Sequence, residues 1–122
     1  MHVGIDIVDI ERIRTAIKRS AAGFISRVYT AEEIEYVGDF EENSESAAGI
    51  WAAKEAAVKA LGCGFRDGIL FQDMQVAHES QGRPYLLFSG RFLIVMQESG
   101  LTSASLSISH CATHAVAAVI LG

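Results

Sequence analysis

Three charged side chains sit where their neighbours do not call for charge. Asp6 lies between Ile5 and Ile7 in the apolar run of residues 2–8. Glu55 and Lys59 lie in Ile50-Trp-Ala-Ala-Lys-Glu-Ala-Ala-Val-Lys-Ala-Leu61, a stretch rich in alanine. A carboxylate on an apolar strand either points to solvent at a strand end or must find a cation or a metal, because an unpartnered buried carboxylate is costly. Glu55 and Lys59 are spaced i,i+4. On a wet helix face that is an ordinary pair contributing roughly 0.2–0.5 kcal/mol. The small and apolar neighbours instead suggest a helix buried on most sides. Two carboxylates from separate elements, with a lysine a turn away, could hold Mg²⁺ against a diphosphate. Magnesium takes one or two carboxylates and completes its shell with water and phosphate oxygens. Spacing alone is compatible with both readings.

The histidines are less specific. His110 follows the strand-like Ser105-Leu-Ser-Ile-Ser109, and His114 follows closely. Neither stands near a cysteine pair at zinc spacing, and Cys111 beside His110 is not a ligand set, so zinc is not expected. His110 reads equally as a phosphate contact or a satisfied structural histidine. Charge is unevenly distributed. From Arg12 to Arg27 there are five bases (Arg12, Arg14, Lys18, Arg19, Arg27) and no acid, whereas Glu32 to Glu45 holds seven acids and no base. A charged helix face is usually just solvated, but a basic helix on an acidic chain is also a docking face for an acidic partner.

The elements that must position these residues follow from periodicity. Residues 2–8 read as a buried strand with Asp6 as its one misfit. Ile10, Ile13 and Ile17 then recur at helical spacing, predicting a helix over 9–19 with Asp9 near its N-cap and Gly23 ending the region. Thr30-Ala-Glu-Glu33 has the form of a capping box and opens a short acidic helix. Residues 38–45 read as a polar loop, from which Ser44 caps a long alanine-rich helix over about 45–61, stopped by Gly62. A glycine-rich turn, Gly62-Cys-Gly64 through Gly68, follows. Strands are predicted over 72–77 and 85–88 around the turn Gln81-Gly82-Arg83-Pro84, a helix over 89–99, and strands over 103–109 and 114–121. This order is not a regular βαβ alternation. It predicts an α+β fold: an antiparallel sheet with one long alanine-rich helix and shorter helices packed on it.

The chain has 122 residues, the size of one domain spanning 1–122, and surface scaling predicts about 6,400 Å² exposed when folded. Net charge is −5, a poor balance for general nucleic-acid binding. Half the residues are hydrophobic and mean hydropathy is +0.26, yet the longest apolar runs, Ala47–Ala53 and Ala115–Leu121, are seven residues, far short of a bilayer span. Excess apolar content without a membrane segment suggests an oligomer. No signal peptide is read at the amino terminus, and two cysteines, Cys63 and Cys111, are too few for a disulfide framework, so a cytoplasmic location is expected.

Five segments, in order, resemble motifs of one family. Gly4-Ile-Asp-Ile-Val-Asp-Ile-Glu-Arg-Ile13, Phe24-Ile-Ser-Arg-Val-Tyr-Thr-Ala-Glu-Glu33, Trp51-Ala-Ala-Lys-Glu-Ala-Ala-Val-Lys-Ala-Leu-Gly-Cys-Gly64, Gly82-Arg-Pro84 and Ser107-Ile-Ser-His110 are similar to motifs of the bacterial holo-[acyl-carrier-protein] synthases, which are small trimeric 4′-phosphopantetheinyl transferases. The resemblance covers essentially the whole chain.

It implies an enzyme of fatty acid biosynthesis that moves phosphopantetheine from coenzyme A to a serine of an acidic acyl carrier protein, releasing adenosine 3′,5′-bisphosphate. By position it implies Asp6 and Glu55 as Mg²⁺ ligands and Lys59 as a phosphate contact. The Gly62–Gly64 turn would form part of the coenzyme A pocket. His110 would be a second coenzyme A contact, contributed across a subunit boundary of a homotrimer. Arg12, Phe24 and Arg27 would form the carrier-docking surface, Phe24 as an apolar anchor. Two positions depart from the family pattern: Ile50 where many members carry Arg, and Cys111 where some carry Asp. No residue stands out as the general base. The competing readings are a Mg²⁺-dependent diphosphate hydrolase and a non-catalytic carrier-binding module.

Overall fold

The centre of the molecule is a helix that nothing but alanine and glycine could have brought so close to a sheet. The computed structural model describes all 122 residues. In it β1 (His2–Asp9), β5 (His114–Leu121) and β4 (Ala104–His110) form an antiparallel sheet in the order β1-β5-β4, and α3 (Ser44–Leu61) lies across it. Seven alanines of α3 (47, 48, 52, 53, 56, 57 and 60) are buried. At Gly4 the backbone of β1 meets α3 so closely that a Cβ would stand 1.9 Å from the carbonyl oxygen of Ala56, so only glycine fits there. Accessible surface is 6690 Å², close to the value expected from mass.

That close approach decides which face of β1 turns inward. Gly4, Asp6 and Val8 point towards α3, while Val3, Ile5 and Ile7 are 66%, 60% and 67% exposed. The expectation of a buried strand with Asp6 as the misfit is therefore reversed: the aspartate belongs to the inner face and the isoleucines to the outer one. Register places Asp6 opposite Ala117, and Ala117 opposite Ile108.

The sheet is not single as expected. β2 (Met74–His78) and β3 (Pro84–Phe88) form a separate two-stranded antiparallel ladder, with β3 packed beside β4 but not paired to it. β2 begins after a 3-10 turn, Phe71–Asp73, which takes up the first residues predicted to be strand. Asp73 fixes this corner by accepting from the backbone N–H groups of Leu70 and Phe92.

Helix α1 (Ile10–Val28) buries Ile10, Ile13 and Ile17 as their spacing predicts, and Asp9 caps it by accepting from the Glu11 N–H at 2.9 Å. Gly23 does not end it. The helix is broken instead at Ser20 (φ −155°, ψ 63°) and resumes to Val28. Helix α2 (Ala31–Val37) opens with both halves of the predicted capping box, Glu33 N–H to Thr30 Oγ1 and Thr30 N–H to Glu33 Oε1. Ser44 is not the cap of α3. It lies in the first turn, buried, and its hydroxyl accepts from the Arg14 guanidinium at 2.9 Å, while Asn43 occupies the cap position. Gly62 closes α3 in the left-handed conformation (φ 94°), and α4 (Gly90–Glu98) packs near the 3-10 turn.

Candidate functional site

Asp6, Glu55 and Lys59 meet where β1 passes under the last turns of α3. Lys59 Nζ donates to Asp6 Oδ1 at 2.9 Å and to the Ile5 carbonyl at 3.1 Å. The lysine therefore does not form the i,i+4 pair with Glu55 that its spacing allows. Glu55, half-buried, is held above the usual carboxylate range, first by burial and second by the negative charge of Asp6, with Lys59 opposing. Asp6 is itself buried, and its Oδ2 has no hydrogen-bond partner. A buried carboxylate oxygen without a donor is rare, because its desolvation costs roughly 1–3 kcal/mol or more.

A divalent cation fits this donor set. One unsatisfied lone-pair oxygen on Asp6 and a half-buried carboxylate raised by its neighbour are two hard oxygen donors at one place. No group of three or more His, Cys, Asp or Glu side chains could hold a metal here. An ion on Asp6 and Glu55 would take its remaining ligands from water and from a substrate's phosphate oxygens, as magnesium does.

The other candidate residues sort into three places. Gly62 and Gly64, both at positive φ (94° and 65°), line a shallow depression of about 330 Å³ with Cys63, Arg66 and Asp67 at the end of α3. His110 ends β4, two strands from β1, and lines a cleft of about 280 Å³ with Ile50, His78 and Pro84. Its Nδ1 lies 4.0 Å from Glu45, and within one chain it does not join Asp6 and Glu55. Beside it, the exposed Cys111 thiol is lowered to about 7 by hydrogen bonding from Thr113 and His114. Arg12, Arg19, Phe24 and Arg27 line one groove of about 620 Å³ along α1. Phe24 lies beside the arginines in that groove. Its ring is buried, edge-on to Tyr29 with centroids 6.0 Å apart, and forms floor rather than rim.

Sequence reasoning missed Lys54 and Glu33. Both are fully buried, and they form an ion pair at 2.6 Å. Burial pushes Lys54 below the usual ammonium range, against the pull of Glu33. The available signal was a lysine flanked by alanines in a helix with no wet face, together with a capping-box glutamate free to serve a second donor.

A long alanine helix crossing a three-stranded antiparallel sheet, with a two-carboxylate and lysine site where they meet, defines the class. The chain belongs to the 4′-phosphopantetheinyl transferase superfamily, whose family model matches residues 2–119. Its branch is that of the holo-[acyl-carrier-protein] synthases. The enzyme of that name from Koribacter versatilis is 44% identical over 121 residues, covering 99% of this chain and 97% of the relative. That from Verminephrobacter eiseniae is 42% identical over 122 residues, covering 100% and 93%. The crystal structure of the Helicobacter pylori holo-[acyl-carrier-protein] synthase in complex with coenzyme A superposes with a TM-score of 0.86 at 34% identity, covering 98% of this chain and 99% of the other. The chain is thus an enzyme of the phosphopantetheinyl transferase class.

Proposed function

We propose that the transfer is Mg²⁺-dependent and that the 1–122 domain works as a homotrimer. The acceptor is a serine of an acidic acyl carrier protein, and the by-product is adenosine 3′,5′-bisphosphate. The observation that carries the metal assignment is the buried, partnerless Oδ2 of Asp6 beside Glu55. Bound there, Mg²⁺ would neutralise the diphosphate of coenzyme A and stabilise the leaving phosphate. Lys59, with its ammonium half exposed, presents a fixed positive charge to the same oxygens. The Gly62–Gly64 depression takes part of the nucleotide, and His110 reaches it from a neighbouring subunit. Arg12 and Arg27 receive the carrier's carboxylates.

The trimer is supported by the outer face of β1. Val3, Ile5, Ile7 and, on the adjacent strand, Ile120 form an apolar patch on an edge of the sheet, of the kind that single chains rarely leave in water. Sedimentation equilibrium at micromolar concentration is expected to give three times the chain mass, and an active monomer would remove both the trimer and the cross-subunit role of His110. No helix is long and apolar enough to cross a membrane. Two free cysteines, one exposed, suit a reducing cytoplasm in fatty acid biosynthesis.

Mass spectrometry of an apo-carrier incubated with the protein, coenzyme A and Mg²⁺ tests the whole reading. The carrier is expected to gain one phosphopantetheine, and to gain none when the metal is chelated. Release of the bisphosphate without any carrier would mean a hydrolase, and carrier binding without mass change a docking module.

A further inference from the structure

Coenzyme A carries two kinds of phosphate: the diphosphate that reacts, and a 3′-phosphate on the ribose that does not. Fixed positive charge at the candidate site serves the first. Lys59 stands in the last turn of α3 beside Asp6, and Arg66 lines the Gly62–Gly64 depression. The adenosine end, on the reading above, reaches the His110 cleft of a neighbouring subunit, and that cleft is built differently.

Its walls are apolar and aromatic. Ile50, Ile108 and Pro84 line it, and the Tyr36 ring stacks on His78 with centroids 4.0 Å apart and planes 9° apart. No lysine or arginine lines it. Arg83 lies between the lining Gly82 and Pro84 but is not part of the wall, and Arg14, which reaches the same end of α3, is engaged by Ser44 and Glu11. Burial holds His78 below the usual histidine range, against the pull of Glu33, which leaves it uncharged at neutral pH. The one permanent charge in the cleft is negative. Glu45 stands in the first turn of α3, where the positive end of the helix favours a carboxylate, and its Oε2 lies 4.0 Å from His110 Nδ1. The two features that would attract a phosphate dianion, the helix end and the histidine, already face an anion supplied by the chain.

We infer that Glu45 makes the donor site indifferent to the 3′-phosphate, so that 3′-dephospho-coenzyme A donates phosphopantetheine about as well as coenzyme A. This rests on the coenzyme A reading above and adds to it which part of the donor is recognised. The bonds exchanged are the same for both donors. The serine oxygen forms the new P–O bond to the phosphopantetheinyl phosphorus, and the P–O bond of the diphosphate breaks. Adenosine 5′-monophosphate then leaves with the electron pair in place of the bisphosphate, and the serine proton passes to solvent.

Steady-state transfer on the full chain tests it, with saturating apo-carrier and Mg²⁺, each donor varied in turn, and the released nucleotide identified by chromatography. Working at pH 8 keeps histidine charge low. In the parent, kcat/KM for the two donors should agree within about fivefold, because a phosphate that gains no net contact adds little. Glu45 is half exposed, so its replacement does not threaten the fold. Glu45→Lys should raise kcat/KM for coenzyme A about tenfold, the scale of one repulsion replaced by one charge pair, and change the 3′-dephospho donor little. Glu45→Gln removes the charge without adding one and should give the same split at roughly threefold. Added salt should shrink the gain in Glu45→Lys, a response that altered packing alone would not show. A parent that prefers coenzyme A by more than about fivefold overturns the inference, because the 3′-phosphate then meets a cation that Glu45 does not offset. An unchanged donor ratio in both Glu45 variants overturns it as well. Transfer from neither donor by the parent would instead remove the underlying reading, and this inference with it.

Discussion

Two lysines five residues apart on α3 each reach a carboxylate on another element, and they do so in opposite ways. Five residues turn the helix by about 140°, so Lys54 faces the α1–α2 corner and Lys59 faces β1. Lys54 Nζ donates to Glu33 Oε1 and to the Val28 carbonyl, both at 2.6 Å. Glu33 Oε1 also accepts from Thr30 N–H, and its Oε2 accepts from Val76 N–H at 2.6 Å. Both oxygens of that glutamate are satisfied in a fully buried site. Lys59 and Asp6 form a pair of similar length, but the lysine is half exposed and one aspartate oxygen has no partner. Saturation marks the first pair as architecture, joining α1, α2, α3 and β2. The open acceptor marks the second as a place left for something to bind. Charge, residue type and helix are shared, so the distinction lies in what remains unsatisfied.

The largest effect is expected from breaking the saturated pair. Lys54→Met leaves Glu33 charged and buried without its cation, and should cost about 3–5 kcal/mol of stability in denaturant unfolding. Adding Glu33→Leu to it should recover part of that loss, because the stranded charge is gone, although the Thr30 and Val76 N–H groups then lose their acceptor. A Lys54→Met protein as stable as the parent would erase the contrast between the two pairs.

At the open pair the same kind of change should act on catalysis instead. Asp6→Ala and Glu55→Ala should each remove most transfer, a loss of several kcal/mol of transition-state stabilisation, and leave a cooperatively folded chain. Lys59→Met should cost less than about 1 kcal/mol of stability, since its ammonium is half exposed, and lower kcat/KM by roughly a hundredfold. A readout that needs no turnover is available. Mg²⁺ should raise the melting temperature of the parent and not that of Asp6→Ala. Near-normal, still Mg²⁺-dependent turnover in Asp6→Ala or Glu55→Ala would detach the carboxylates from the metal.

Local chemistry was readable in the sequence, and long-range geometry was not. The Thr30–Glu33 capping box and the Gly62 stop follow from residues within one turn of each other, and both are present. The reach of Glu33 to Lys54 and Val76 spans 21 and 43 residues, and nothing local encodes it. In β1 both sets of alternating side chains were plausible core. The choice between them was made by Gly4, whose missing Cβ lets α3 approach from one side and turns Ile5 and Ile7 outward. A glycine among isoleucines in a strand is a readable sign of close approach, although not of what approaches. Asp6, Glu55 and Lys59 came together on the resemblance, since their spacing was equally compatible with a surface pair. Phe24 lies in the arginine-lined groove, as an aromatic among arginines suggests, but that its ring rests edge-on against the buried Tyr29 is a long-range detail that spacing does not encode.

The smallest effect is the most diagnostic of how the open pair is wired. Glu55 is raised from 4.5 by burial and by Asp6, and lowered by Lys59. Between that ordinary value and the raised one, the folded chain holds a proton that the unfolded chain has lost. Stability contributed by this group therefore declines as pH rises through that window, and is unaffected below it, where both states are protonated. The two neighbours push in opposite directions, so their removal should separate. Asp6→Asn deletes a repulsive charge, and the Glu55 titration, followed by side-chain NMR, should move down towards its ordinary value. Lys59→Met deletes an attractive one, and the same titration should move up, widening the window in which stability declines. Glu55→Gln should abolish the decline altogether and leave the rest of the pH profile in place. The parallel experiment at the saturated pair gives the control. Lys54 lies on the far side of the helix, and Lys54→Met should leave the Glu55 titration where it is, provided the variant is held folded at low temperature. If Asp6→Asn and Lys59→Met both left the midpoint unmoved, Glu55 would be raised by burial alone. It would then no longer share a site with Asp6, and the partnerless oxygen of Asp6 would need another explanation.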